Sequence, residues 1–337
     1  MTTHTAFHPS MRVAYFTHYQ NWLCNQMFDA KSECNVNNVL DRWIALKHYL
    51  GERGIELNTY DMSSNVKPSL WLVHEPLPAQ FKFMLKHGVN PRKTILMITE
   101  PRVVNPWGWR NLKYYSWLFK AVLTWNSQLC ETRKGFFHFH FPVRITESMR
   151  SLRATSKKKL CVMVHANKTS AVDGELYSFR RAVIRHYEED GSRLLDLFGH
   201  RWNTDASESP YYSSLYQGVT EDKLATLAQY YFVFCIDNCI QPGYITYDPL
   251  LSMAVGSVPI YLPMPDSTRF IPADTFIDLS KFSSLNELTC YLHEIVENGR
   301  YDEYRRKGRE FLDSPLFEPF SINRFCEDVY AAIVASI

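Results

Sequence analysis

No stretch of this chain approaches the roughly 18 to 20 consecutive apolar residues that cross a bilayer. Residues 1–12 also lack the apolar segment of a secretory leader, so a cytoplasmic product is expected. There is no G-x-G-x-x-G after a strand, no G-x-x-x-x-G-K-[ST] and no G-x-S-x-G, which argues against a dehydrogenase, a P-loop NTPase and an α/β-hydrolase. The eight cysteines include no C-x-x-C pair and read as reduced, packed thiols. His138 and His140 alternate in a strand-like run with no third ligand nearby, which makes a poor metal site, and neither a metal nor a cofactor is expected. Charge of one sign is scarce as well. The 37 Lys and Arg nearly cancel the 35 Asp and Glu, leaving +2, too little to attract nucleic acid or anionic lipid non-specifically. Any anionic partner must be held locally, and no nucleic-acid partner is expected.

What the chain does have is 46% hydrophobic residues over 337 positions, enough for two cores. Short β-rich runs alternate with helix-length amphipathic stretches, the pattern of parallel sheets with helices on their faces. In the first half, strand-like runs fall at residues 12–17, 56–60, 70–74, 94–98, 121–125 and 136–141. A helix over 36–51 places Val39, Leu40, Trp43, Leu46 and Leu50 on one stripe. Residues 147–159 are polar and basic and read as a linker, its cations a solvated hinge or a weak contact to an anionic surface. A second alternation follows, with strands at 160–164, 194–198, 231–236 and 258–262 and helices at 175–188, 221–229 and 248–255. Helices over 286–296, 301–312 and 322–337 close the chain. The expected architecture is α/β, two Rossmann-like domains, 1–150 and 151–337, facing across a cleft. In such sheets ligands sit beyond the carboxyl ends of the strands.

The most informative stretch is residues 231–262. A β-rich run ends at Asp237 and Asn238, Gly243 relaxes a turn, and Thr246 is placed to cap a helix whose first turn holds Asp248 and Pro249. A capped helix N-terminus aimed at a cleft suits an anion. The pattern CIDN, GYIT, MAVGSVPIYL resembles the signature of glycosyltransferase family 10, the α-1,3/1,4-fucosyltransferases: φ-x-φ-E-N, a short loop, Y-[IV]-T-E-K, then A-x-x-x-x-x-V-P-[IV]-[YV] (φ, an apolar residue). ELYSFR (175–180), DLFG (196–199) and FIDLSKF (276–282) resemble further segments of that family, and the likeness is strong over about residues 160–300.

The resemblance implies a GT-B-like fold, with an acceptor-binding N-terminal domain and a nucleotide-sugar-binding C-terminal one. It implies an inverting, metal-independent transfer of fucose from GDP-fucose to a glycan or lipid-linked saccharide acceptor. Thr99-Glu100-Pro101 resembles the family's strand ending in a general base. A sugar hydroxyl is a poor nucleophile, so the chemistry needs such a carboxylate, with Glu75 as local competitor. Arg180 would contact the donor pyrophosphate. Asn238 and Tyr244 would line the donor pocket, Thr246 would cap the helix near the phosphates, and Lys168 is a second candidate cation. The chain departs from the family after Y-[IV]-T, where Tyr247-Asp248 stands in place of the usual Glu-Lys. A charge-assisted bond to phosphate contributes roughly 1.5 to 3 kcal/mol, so uncompensated loss would lower donor use on the order of tenfold to a hundredfold. Another cation compensates, the donor is a different nucleotide sugar, or the site is a degenerate one in a non-catalytic glycan-binding protein. Without a membrane-spanning stalk, the chain looks like the soluble bacterial or viral members.

Overall fold

The computed structural model of the chain describes residues 11–35, 38–63, 67–203 and 213–337. The N-terminal segment read for a leader and the first two residues of the expected helix at 36–51 lie outside them. Two compact units result, Met1–Arg144 with Pro319–Ile337, and Ile145–Glu318.

The first unit is built on β1 (Met11–Phe16), α1 (Asp41–Gly51), β2 (Ile55–Thr59), β3 (Leu70–His74), α2 (Pro78–Lys86), β4 (Thr94–Ile98), α3 (Pro106–Arg110), α4 (Tyr115–Leu118), β5 (Ala121–Thr124), α5 (Ser127–Thr132) and β6 (Phe136–His138). The strands pair in parallel in the order β2-β1-β3-β4-β5-β6. Every residue of TILMI in β4 and AVLT in β5 is buried, as a parallel strand covered on both faces requires, whereas edge strand β2 alternates. The sheet grows from β1 to β2 in one direction and from β3 through β6 in the other. Right-handed crossovers therefore put α1 on one face and α2 to α5 on the opposite one. Leu40, Trp43, Leu46 and Leu50 are buried as their stripe predicts, but Val39, one residue ahead of the turn into α1, is 46% exposed.

The second unit contains α6 (Glu147–Ser151), β7 (Lys159–Val164), α7 (Tyr177–Glu189), β8 (Leu195–Phe198), α8 (Lys223–Ala228), β9 (Tyr230–Cys235), α9 (Asp248–Ala254), β10 (Val258–Tyr261), β11 (Ile277–Asp278), α10 (Leu285–Glu297) and α11 (Arg300–Leu312). Its sheet is also parallel, in the order β11-β10-β9-β7-β8. The last helix, α12 (Ile322–Val334), departs from expectation. It belongs to the first unit, where Phe325 meets the Trp43 ring edge-on at 5.5 Å and Tyr330 meets Tyr49 at 6.0 Å. Its apolar stripe finds the exposed side of α1, which no local pattern announces.

The basic linker is not a solvated hinge. Arg153 Nε donates to the Ala254 carbonyl at 2.9 Å, Arg305 Nε donates to that of Gly256 at 3.1 Å, and Lys157 Nζ donates to Ala228 O and Ser257 Oγ. Cations thus meet the carbonyls left over at the C-termini of α9 and α8. Lys159 pairs with Asp196, and Arg150 with Asp313 at 2.6 Å.

Gly199, which follows β8, has φ +137°, and a Cβ there would fall 1.9 Å from the carbonyl oxygen of His165, which follows β7. Only glycine lets these two strand ends approach. Gly199→Ala should therefore destabilise the protein by at least about 2 kcal/mol, read as a fall in denaturation midpoint. An unchanged midpoint would mean the two strand ends are free to separate.

Candidate functional site

In the second unit β7 has β8 on one side and β9 on the other, so the connections leave in opposite directions and open a crevice at the carboxyl ends of β7 and β9. His165 follows β7, and Ile236, Asp237 and Asn238 follow β9. Arg180, in the first turn of α7, is 4% exposed and reaches across to this edge. Its Nε donates to the Ile236 carbonyl at 2.8 Å and its Nη2 donates to Asn238 Oδ1 at 3.1 Å. Asn238 Nδ2 in turn donates to the buried Tyr244 hydroxyl at 3.2 Å. Arg180, Asn238 and Tyr244 are thus one connected group.

Thr246 and α9 are arranged differently from expectation. The helix begins at Asp248 behind Tyr247, which makes no side-chain cap, and Thr246 Oγ1 donates instead to Asp237 Oδ1 at 2.6 Å. The buried carboxylate is the stronger acceptor and takes the hydroxyl away from the helix. Lys168 is exposed, and among the described residues no hydrogen bond joins its ammonium to the group; its carbonyl accepts from Arg181.

The cation missing from the chain's local pattern is present in space. Lys223, the first residue of α8, places Nζ 2.6 Å from Asp248 Oδ1. Asp248 Oδ2 lies 3.9 Å from His165 Nε2, and the Lys223 ammonium lies 5.7 Å from the centre of the half-exposed Tyr247 ring. Burial is the largest influence on Asp248 and opposes its charge, but Lys223, by charge and hydrogen bond, together with His165 and Arg180 holds the carboxyl below its ordinary value. Burial likewise opposes the Lys223 charge, and the attraction of Asp248 raises its pKa. His165 is driven well down by burial and then by Arg180, and is neutral. Asp237 is pushed up to about 7 by burial, with Thr246 opposing, and its buried Oδ2 has no hydrogen-bond partner among the described residues. Neither Lys223 nor His165 was singled out from sequence. The only local signal for Lys223 was its place just behind Asp222, which caps α8 through the Ala225 N–H.

In the first unit, Glu75 and Glu100 follow the adjacent strands β3 and β4. Glu75 is 2% exposed with φ +67°, a left-handed conformation uncommon outside glycine and retained where surroundings hold it. Its Oε1 accepts from the Thr99 N–H, the Thr99 hydroxyl and the Glu100 N–H, and its Oε2 accepts from Asn105 Nδ2 at 3.2 Å. Both oxygens face inward. Glu75 therefore shapes the turn that carries Glu100. Trp109 Nε1 donates to the Glu100 carbonyl and Trp125 Nε1 to that of Thr99, each at 2.9 Å, fixing that turn from the far side. Glu100 itself is half-buried. Beside it lies an aromatic group: His74 stacks on Trp22 at 5.9 Å, and Tyr19 is 4.6 Å from Trp22. Tyr19 is raised by burial and then by the charges of Glu100 and Glu75. His138 and His140 contact each other at 4.5 Å, and among the described residues no group of three or more metal-ligating side chains occurs.

Glu75 is raised from 4.5 to about 7, chiefly by burial. Such a group holds its proton more tightly folded than unfolded, so its stabilising share is full below about 4.5 and lost as pH rises to about 7. Relative to Glu75→Gln, whose amide does not titrate, the wild type should lose melting temperature between pH of about 5 and about 8. A constant or widening advantage for the wild type would contradict the buried carboxyl.

These two parallel-sheet units are the GT-B type of glycosyltransferase fold. A crystal structure of an α1,3-fucosyltransferase superposes with TM-score 0.60 at 13% identity, covering 99% of this chain and 92% of that one. An α-glucosyltransferase in complex with UDP and a 13-mer DNA superposes at 0.58 with 10% identity, covering 96% and 100%. The model of glycosyltransferase family 10 (fucosyltransferase), C-terminal part, matches residues 154–327, slightly more than half of the chain. The chain belongs to that family. It is 30% identical over 143 residues to an α-(1,4)-fucosyltransferase of Arabidopsis thaliana, covering 37% of this chain and 36% of that protein. It is 25% identical over 244 residues to the GDP-fucose protein O-fucosyltransferase 3 of Gallus gallus, covering 69% and 47%. The mouse 4-galactosyl-N-acetylglucosaminide 3-α-L-fucosyltransferase 9 is 30% identical over 134 residues, covering 34% and 37%. The matches thus span less than half the length of these curated relatives.

Proposed function

We propose that this chain is an inverting fucosyltransferase that uses GDP-fucose and a glycan hydroxyl. The observation that carries the reading is the pair of cations at the carboxyl edge of β7 and β9 in a family 10 domain, Arg180 bonded to Ile236 and Asn238 and Lys223 bonded to Asp248. In this reading the second unit binds the donor. Arg180, fixed in place by Ile236 and Asn238, offers its guanidinium to the diphosphate, and Lys223 supplies the charge that the family's signature places after Y-[IV]-T. Asp248 keeps that lysine charged and oriented before the donor arrives. Asn238 and Tyr244 form the adjoining wall. Glu100 of the first unit takes the proton of the acceptor hydroxyl while its oxygen bonds to the anomeric carbon. The bond from that carbon to the diphosphate oxygen breaks, and the diphosphate leaves with the electron pair. Glu75 holds the base without acting as one. No step calls for a divalent ion, since the two cations oppose the developing charge.

Calorimetry with GDP, GDP-fucose and UDP tests the donor site. GDP should bind and UDP should not, and Lys223→Met should weaken GDP binding on the order of tenfold to a hundredfold. Because that change strips Asp248 of its partner, the double variant Lys223→Met/Asp248→Asn serves as the folding control and should be equally weak. Full affinity in either variant would remove Lys223 from the phosphates, and preference for UDP would reassign the donor.

For the acceptor side, Glu100→Gln should retain GDP-fucose affinity and lose transfer by at least about a hundredfold. Wild-type turnover in that variant would end the role of Glu100 as base, and a catalytically silent wild type that still binds glycans would mark a degenerate site.

A further inference from the structure

Charge in this nearly neutral chain is unevenly distributed. Residues 76–130 hold eight lysines and arginines and one carboxylate, Glu100, a local +7 that leaves −5 for the rest of a chain totalling +2. The segment comprises α2, β4, α3, α4 and β5, whose helices lie on one face of the first sheet over a shared core of Met84, Leu112, Tyr115 and Phe119. On the outside of that face are large apolar side chains: Leu85 83% exposed, Trp117 70%, Tyr114 52%, Val104 40% and Trp107 37%. Neighbouring elements of this face touch one another. Phe81 of α2 meets the Trp107 ring at 5.3 Å, the Lys120 N–H donates to the Pro91 carbonyl, and the Arg92 guanidinium lies 5.8 Å from the Trp117 ring. Lys113 is 4.9 Å from the Tyr114 ring.

We propose that this α2–α3–α4 face docks on a membrane surface rich in anionic headgroups. Indole and phenol rings favour the boundary between water and hydrocarbon, where one part of the ring is apolar and another polar. Lysine and arginine stems cover apolar surface while their charges meet phosphate. Leu85 and Val104 tell the occupant apart from a nucleic acid, since exposed aliphatic groups gain nothing from a sugar-phosphate backbone and gain from the acyl boundary. Four of the five linker cations, Arg150, Arg153, Lys157 and Lys159, are engaged within the second unit. The turn after Glu100 runs directly into Val104 and Trp107, so the docked face carries the candidate base close to saccharides borne on that membrane. This inference goes beyond the donor reading and stands without it.

The test is flotation of the full chain with vesicles of phosphatidylcholine alone or with about 30% phosphatidylglycerol. The anionic vesicles should bind the chain, the neutral ones at least about tenfold more weakly, and raising salt from about 0.1 M to about 0.5 M should release it. Arg92→Glu/Lys113→Glu and Trp117→Ala/Leu85→Ser should each lower binding at least about fivefold, by charge and by apolar contact respectively. Both pairs are exposed, and an unchanged denaturation midpoint of the same samples reports that the variants are folded. No binding, equal binding to both vesicles, variants that bind like the wild type, or capture by duplex DNA in preference to vesicles would each overturn the proposal.

Discussion

Asp237 and Asp248 in one unit and Glu75 in the other are carboxyls withdrawn from water at or just beyond the carboxyl ends of parallel strands. Burying such groups is expensive unless donors or cations meet them. The surrounding structure is arranged around that requirement. Thr246 turns to Asp237, Lys223 comes from α8 to Asp248, and Thr99, Glu100 and Asn105 converge on Glu75. Each demand fixes a loop that would otherwise be free. The same strand ends are where a crevice opens in an open α/β sheet, so the groups that rigidify the edge also furnish its chemistry.

The Tyr247-Asp248 departure from the family pattern acquires a physical meaning in this setting. Replacing a cation by a carboxylate changes the local charge by two units, and the sheet edge does not carry that change alone. An ammonium from a different helix stands 2.6 Å away, so the pair together has the net charge of neither residue. Asp248 and Lys223 are one unit in the electrostatic sense: each shifts the other toward its charged form against the effect of burial.

The two units use polar groups differently. In the second, Arg180 and Lys223 lie against the sheet edge, and the linker cations meet the C-termini of α8 and α9. In the first, Glu100 and its aromatic neighbours sit at the strand ends, while cations gather on the outer face of α2 to α4 among exposed rings. A whole-chain charge of +2 conceals this separation.

Apolar periodicity made the strands legible, because a parallel strand buried on both faces reads as a continuous apolar run: TILMI, AVLT and YYFVFC stand where expected to within a residue or two. Motif resemblance brought together Arg180, Asn238 and Tyr244, which lie on elements meeting at one sheet edge. Tertiary structure alone decided that Lys223 partners Asp248, that Thr246 serves Asp237 rather than a helix, that Glu75 is interior, and that α12 returns to the first unit. The reason is common to the first three, whereas α12 follows its apolar stripe to a partner far away in the chain. Hydrophobic pattern is written at periods of 2 and 3.6 along the chain, whereas a buried charge is satisfied by whichever donor the fold brings within about 3 Å, whatever its distance in sequence.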